Sequence, residues 1–514
     1  MNESPETGPA ATGKVQAYQL GEGSTTGAMT PTPIIDASRH RWQARDHRDR
    51  CEIISTARFR ISEAADDLIA ACRTAQRVDD VETVASELIP LCDALAWIGR
   101  CGPRTLADRR VGLSGRPIWM WGVRSVVRRR PVGHVLILGA WNYPLLLTGT
   151  QMAQALAAGN SVGIKPAVGS EAATRLMVNC FRDAIEQAGG DRDLITEVES
   201  SRASAQSAIA DRPDLIVLTG SAATGRLVMH QAADVGSDCI LELSGADAVL
   251  TLRSALTQAD CREALLSCLE FGLLFNSGAT CIGPRRWFVP QGNEIVSEFA
   301  NRLANVGPVQ VHPAARPSVA TAIESALANG AVDVMGQFDR QRLCDDGTML
   351  PVLLDGVESD NPICNTDLFA PVMSVLRYNQ IDDAIRQVNT SRYRLAASVF
   401  GDVNEAESVA ERLDVGTVTV NDLIAPTADP RLPFGGRGDS GFGVTRGPEG
   451  LLAMTTPHTV VSRRGRWRPH LSPRTDSTAD LLLGMLRYRN APSWRKRSAA
   501  MRRIVTLARE HPPK

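Results

Sequence analysis

From Val135 onward the chain alternates short apolar runs with amphipathic helical ones, and few folds accommodate that rhythm. Val135–Leu138, Ser161–Ile164, Leu194–Val198, Leu215–Leu218 and Cys239–Leu243 read as strands. Gln151–Ala158, Glu171–Ala188, Ala203–Ile209 and Ala223–Ala232 read as the helices between them. Strands apolar on successive residues are buried on both faces, and helices in the connections bury them. The pattern therefore predicts an α/β fold built on parallel sheets. A second such series runs from Glu263 to Val420. Ahead of both, Ile34 to Arg100 has apolar residues at helical spacing. Residues 111–133, with Trp119-Met120-Trp121 and Arg128-Arg129-Arg130, read as an exposed ribbon or edge strand. Trp119 and Trp121 read as core or interface packing there rather than as ligand contacts.

A chain of 514 residues can hold two or three domains. Residues 1–30, rich in Gly, Thr, Ser, Pro and Ala, read as a disordered leader. No secretory signal is visible, and no apolar run approaches the roughly 20 residues of a membrane span. The 11 cysteines show no repeated spacing and no Cys/His cluster of the kind that holds zinc, so a reducing, cytoplasmic compartment and no metal are expected. Charge is uneven. Residues 461–514 carry 14 Lys and Arg against 3 Asp and Glu, a net +11, and the rest of the chain a net −12. Only four residues are lysine, and Lys165 is the only one between 15 and 495.

Several stretches carry chemistry. Phe275-Asn276-Ser277-Gly278-Ala279-Thr280-Cys281 puts a cysteine on a short turn between a helix, Ala264–Leu274, and a strand, Arg285–Val289. Such a turn can expose a nucleophile beside free backbone N–H groups, although most cysteines are simply buried. The strand Val135–Leu138 runs into Gly139-Ala140-Trp141-Asn142-Tyr143-Pro144. Asn142 is either a turn residue or an amide donor for a developing oxyanion. Lys165 ends a strand, where it can meet ribose hydroxyls or phosphate. Thr219-Gly220-Ser221-Ala222-Ala223-Thr224-Gly225 is a strand–Gly–helix junction suited to phosphate, short of a full G-x-G-x-x-G. Glu242, at an apolar strand end, is either a solvent-facing residue or a desolvated general base.

Together these stretches resemble the aldehyde dehydrogenase superfamily. The resemblance rests on Trp141-Asn142-Tyr143-Pro144, Ile164-Lys165-Pro166, Thr219-Gly220-Ser221 with Gly225, Glu242-Leu243-Ser244-Gly245, and Asn276-x-Gly278-x-x-Cys281. Asp367-Leu368-Phe369-Ala370-Pro371-Val372 and Pro433-Phe434-Gly435-Gly436 with Ser440-Gly441 complete it. It spans about 34 to 465 and is most similar to the shorter, class 3-like branch. It implies a Rossmann-type dinucleotide-binding domain at 31–115 and 131–242, and a catalytic domain at 243–440. Extended oligomerisation arms would take 116–130 and 455–465, leaving a basic tail at 467–514. It implies NAD(P)-dependent oxidation of an aldehyde through a cysteine thiohemiacetal and thioester. Cys281 would be the nucleophile, Asn142 with the Cys281 N–H the oxyanion hole, and Glu242 the base that activates water. Lys165, Trp141, Gly220, Ser221, Gly225, Asp367 and Phe369 would hold NAD or NADP. A homodimer is implied, and no nucleic-acid partner.

The apolar runs Leu145-Leu146-Leu147 and Trp119-Met120-Trp121 favour a hydrophobic aldehyde. Glu242 argues against the competing reading, an acylating enzyme in which coenzyme A takes the acyl group. The intact set of groups argues against a non-catalytic scaffold. Four departures from the family pattern stand out: Asp367 and Ala370 in place of Glu and Gly, Ser244 for Gly, Ala279 for Gln, and Val168 where many NAD-preferring members carry an acid. In the tail, Trp494, Ser498, Met501, Val505 and Ala508 share one helical face among arginines. That face either contacts an anionic membrane surface or packs on the acidic core or a partner subunit.

Overall fold

The structure, a computed structural model, describes residues 33–510 apart from 467, 472 and 476. The expected leader lies outside the described residues. Two compact units emerge. One comprises the described residues up to Ala107 with Arg129–Thr456, and the other Asp108–Arg128 with the described residues from Pro457 onward.

Among the described residues the first unit contains two large sheets and two two-stranded ones. The six-stranded one has the order Gly441–Phe442, Asp238–Leu243, Leu215–Gly220, His134–Leu138, Ser161–Lys165, Ile195–Glu197. All of its pairs are parallel except the first. Alternate residues of its strands face opposite cores. Val135, Ile137, Val162, Ile164, Leu215 and Val217 pack on helices His47–Glu63, Ile89–Thr105, Leu146–Ala158 and Glu171–Gln187. Leu136, Leu138, Ile216, Leu218, Leu241 and Leu243 pack on the other side against Ile209, Val228 and Ala232. Both faces are dry, and each fully buried aliphatic side chain contributes about 1.5–3 kcal/mol. The helix Leu146–Ala158 has twelve of its thirteen residues buried, so it shows no polar face.

The seven-stranded sheet has the order Val332–Asp333, Val352–Asp355, Val372–Tyr378, Pro284–Pro290, Asp247–Thr251, Ala396–Phe400, Thr417–Val420. It too is parallel apart from its first pair. The α/β class read from the sequence is thus the observed one. The expected helical span from Ile34 to Arg100 is broken at residues 73–79, which form a loop.

A three-stranded sheet, Arg109–Val111, Val123–Pro131 and Thr455–Arg463 in that order, has most of its residues in the second unit. The sequence predicts an extended segment over 111–133. The structure instead turns at Ile118–Met120, because Gly115, Pro117 and Gly122 interrupt the strand, the two glycines at φ 73° and 77°. Val123–Pro131 is the middle strand of this sheet rather than an edge. Trp119 and Trp121 are 49% and 73% exposed, which overturns the core-packing reading. The tail forms two helices, Thr478–Arg489 and Trp494–Glu510, that meet where Gly484 abuts Ile504.

Candidate active site

Cys281 stands at the end of a turn that leaves the helix Ala259–Leu274. Asn276, Ser277 and Gly278 all take positive φ, at 53°, 53° and 76°. Left-handed backbone at non-glycine residues costs about 1–3 kcal/mol and persists only where neighbours enforce it. They do so here. The Asn276 N–H donates to Glu82 Oε1 at 3.0 Å, and Ser277 Oγ donates to Gln76 O at 2.7 Å. Buried Arg285 donates to the carbonyls of Gly278, of Thr280 at 3.2 Å and of Ala370 at 2.9 Å. A Cβ on Gly278 would lie 2.4 Å from the Ala370 carbonyl carbon, so only glycine fits.

Asn142 follows the strand His134–Leu138 and approaches the same turn. Its Nδ2 donates to Ala279 O at 3.0 Å, leaving the second amide hydrogen for another acceptor. Its own carbonyl accepts from Arg77 and from Asn276 Nδ2 at 3.1 Å. Arg77 in turn forms a buried ion pair with Glu87, whose Oε2 accepts the N–H groups of Leu145 at 2.6 Å and Leu146 at 3.0 Å. The loop is therefore pinned from the first helices of the chain. Tyr143 Oη and Thr280 Oγ1 are 2.6 Å apart and join it to the Cys281 turn.

Glu242 is buried, which removes the solvent-facing alternative. Its strand neighbour on one side is Thr219, on the other Gly441. Gln151 Nε2 donates to Glu242 Oε2 at 3.2 Å, Thr219 Oγ1 donates to it at 3.4 Å, and the Thr445 hydroxyl donates to Oε1. Burial raises its pKa, opposed by the charge of Arg446 and then by these hydrogen bonds. A carboxyl held by three donors and raised by burial is a candidate general base.

Cys281, Asn142 and Glu242 line one cavity of about 890 Å³. Leu146, Leu147, Phe271, Phe275, Ile424 and Phe434 supply much of its apolar wall. Burial pushes the Cys281 thiol up to about 12, and the carboxyl groups of Asp247 and Glu242 push the same way. Asp247 is itself pushed by burial up to about 8; its Oδ1 accepts from the Ala396 N–H at 2.9 Å and its Oδ2 has no partner among the described residues.

Of the expected cofactor residues, Trp141, Gly220, Ser221, Asp367 and Phe369 reach this cavity. Trp141 and Phe369 have ring centroids 5.8 Å apart, and His312 stacks on Trp141 at 4.3 Å. Burial lifts Asp367 to about 6, against the Ser244 hydroxyl and the charge of Arg285. Ser221 caps the helix Ala222–Val235, so its free N–H groups face the mouth of a parallel sheet at its carboxyl end. Gly225 does not line the cavity; a Cβ there would meet Leu243 at 2.6 Å, the close helix–strand approach that a dinucleotide fold requires. Lys165 does not line it either. It is half-buried at the end of Ser161–Lys165, with burial lowering its pKa and Glu171 opposing that. Val168 is 72% exposed, and Glu171, whose Oε2 accepts from the Gly169 N–H at 2.8 Å, is the acid beside Lys165. These residues fit a dinucleotide in their donor set and their shape.

Arg77, Glu87, Gln151, Arg285, Thr445 and Arg446 escaped the sequence reading. The last two lie four and five residues after Gly441, and the antiparallel pairing of Gly441 with Glu242 was the missing signal. The others belong to helices, loops and a strand whose patterns mark packing only.

The family model described as "Aldehyde dehydrogenase family" matches residues 33–460. The chain is 30% identical to 4,4'-diapolycopene aldehyde oxidase of Methylomonas sp over 461 residues, covering 87% of this chain and 84% of that one. It is 31% identical to geranial dehydrogenase of Castellaniella defragrans, covering 68% and 73%. The crystal structure of Mycobacterium tuberculosis aldehyde dehydrogenase complexed with NAD+ superposes with a TM-score of 0.74 at 25% identity, covering 84% and 90%.

Proposed function

The chain belongs to the aldehyde dehydrogenase family, and we propose that it oxidises a hydrophobic aldehyde to the carboxylic acid with NAD or NADP, using Cys281 as nucleophile and Glu242 as base. The observation that carries this reading is the convergence of Cys281, Asn142 and Glu242 on one largely apolar cavity. The names of the polyene-aldehyde and geranial relatives favour the same substrate class.

Cys281 Sγ, its proton passed through the Glu242 carboxylate to solvent, adds to the carbonyl carbon as the C=O π pair moves onto oxygen. The free hydrogen of the Asn142 amide and the Cys281 N–H stabilise that oxyanion. A bound dinucleotide supplies the hydride acceptor. Gly220, Ser221 and Lys165 would hold its phosphates and adenosine ribose, and Trp141, Asp367 and Phe369 its nicotinamide end, with Gly225 admitting the close helix. Once the carbon is at the acyl level, Glu242 removes a proton from the water that attacks the Cys281 thioester, and the acid leaves as the C–S bond breaks. Three donors orient that carboxylate, which favours water over coenzyme A as the acyl acceptor.

In this reading residues 31–115 and 131–242 bind the dinucleotide, and 243–440 carry the catalytic turn. The arms, 116–130 and 455–465, pair two copies into a homodimer. The outer strand Thr455–Arg463 is exposed along nearly its whole length, an edge that a second copy can cover. A cytoplasmic location accords with the free cysteines. No helix among the described residues is long and apolar enough to cross a membrane. Peripheral membrane attachment through the tail is a second reading, and one observation favours it. Leu482, Leu486 and Trp494 are exposed, Trp494 at 74%, beside Arg487, Arg489, Arg495 and Lys496.

The test is NAD(P)H production across aldehydes of increasing chain length, with and without coenzyme A. Turnover that rises with chain length and ignores coenzyme A supports the reading. Turnover that requires coenzyme A contradicts it.

A further inference from the structure

Arg446 is the one cation in the cavity wall that the chemistry above does not use. It is 8% exposed, and among the described residues no carboxylate lies within ion-pair distance of it. Its Nη1 donates to Thr427 O at 2.7 Å, its backbone N–H donates to Gln154 Oε1 at 3.2 Å, and its guanidinium lies 4.2 Å from the Phe434 ring centroid. Nε is buried without a partner among the described residues. The backbone at Arg446 has φ 58° and ψ 169°, a region that is almost wholly glycine's. A buried, incompletely paired cation on strained backbone is costly twice over. A site that needed only packing would be served by leucine.

We propose that Arg446 is a positioning residue whose fixed positive charge offsets the burial and the carboxyl groups around the nucleophile and the base. Three carboxyl groups surround Cys281: Glu242 at the end of Asp238–Leu243, Asp247 at the start of Asp247–Thr251, and Asp367 in the loop before Val372–Tyr378. Arg285, from Pro284–Pro290, also faces Cys281, but its donors are occupied by three carbonyls. Tyr143 is neutral there and hydrogen-bonded to Thr280. Around Glu242 stand Thr219, Thr445 and Gln151, all neutral, and Arg446. Arg446 is thus the charge that both groups share. It favours the Cys281 thiolate against the three carboxyl groups and favours ionised Glu242 against burial.

The inference deepens the dehydrogenase reading, and its test is read independently of turnover. Iodoacetamide alkylation of Cys281, followed by peptide mass between about pH 7 and 9, reports the thiolate fraction. Exposed Cys101 and Cys344 serve as references in the same samples. Arg446→Met, which keeps the stem on Phe434, should slow Cys281 alkylation about tenfold at each pH and leave the references unchanged. Arg446→Lys should restore most of the rate. Arg446→Gln is the neutral arm if the methionine variant does not fold. The acid limb of the kcat profile should also move upward by about one pH unit in the neutral variant. Equal alkylation rates in wild type and the folded neutral variant, or no rescue by lysine, would overturn the proposal. Absence of dehydrogenase turnover in the wild type would instead count against the reading beneath it.

Discussion

Glu171 illustrates how a residue three places along the chain can alter an inference. Exposed Val168 leaves no acid at its own position, which by itself favours tolerance of a 2′-phosphate. Glu171 nevertheless brings a carboxylate to Lys165, where it would repel that phosphate. Glu171→Gln should therefore raise kcat/KM with NADP relative to NAD by about tenfold, and Val168→Glu should move the ratio the other way. Equal ratios in wild type and both variants would assign cofactor choice elsewhere. Asp247 gives a prediction with a defined sign. Its folded pKa is raised to about 8, so between roughly pH 4 and 8 the native state holds a proton that the unfolded chain has lost. Stability from this group is full below that window and declines as pH rises through it. Asp247→Asn keeps an acceptor for the Ala396 N–H and carries no titration, so the Tm of the wild type should fall relative to the variant's between about pH 6 and 8. Parallel Tm curves would show that Asp247 ionises normally. Cys281, Asn142 and Glu242 stood out only through the family resemblance, because taken singly a buried cysteine, a turn asparagine and a solvent-facing glutamate explain the same residues. Arg446 did not, because its role comes from a two-residue strand too short to show any period.

Elements buried on both faces were read well, since parallel strands leave an uninterrupted apolar record. The segment 111–133 was read poorly. Its strands belong to the small second unit, where tryptophans are exposed and no core imposes alternation. The turn that leads into Cys281 gives the test at this scale. Gly278→Ala would set a Cβ against Ala370 and demand φ near 76° of an alanine. A displacement of the turn by an ångström is enough to cost about 100-fold in kcat. The variant should keep its circular dichroism spectrum and lose activity on that scale. Near-normal kcat would mean that the turn tolerates a shift and that its strained backbone is incidental.

At the scale of the whole molecule, the first unit folds to bring groups from its two large sheets to one cavity, and the second holds the strongly basic tail. The stripe expected on the last helix is partly exposed, while Ile504, at its border, is the residue that meets Gly484 of the preceding helix. If this hairpin binds membranes, the full chain should sediment with anionic liposomes at low salt and be released at high salt, and a chain ending at Arg466 should not sediment. Identical behaviour of the two chains would leave the hairpin to contacts between proteins. The claim on which everything else depends is that Cys281 carries the acyl group and Glu242 directs water to it. The direct measurement is the intact mass and peptide map of Glu242→Gln after mixing with a long-chain aldehyde and NAD or NADP. One burst of reduced cofactor per active site and an acyl adduct on the Cys281 peptide are expected. Steady turnover without an adduct, or an adduct on any other cysteine, would contradict it.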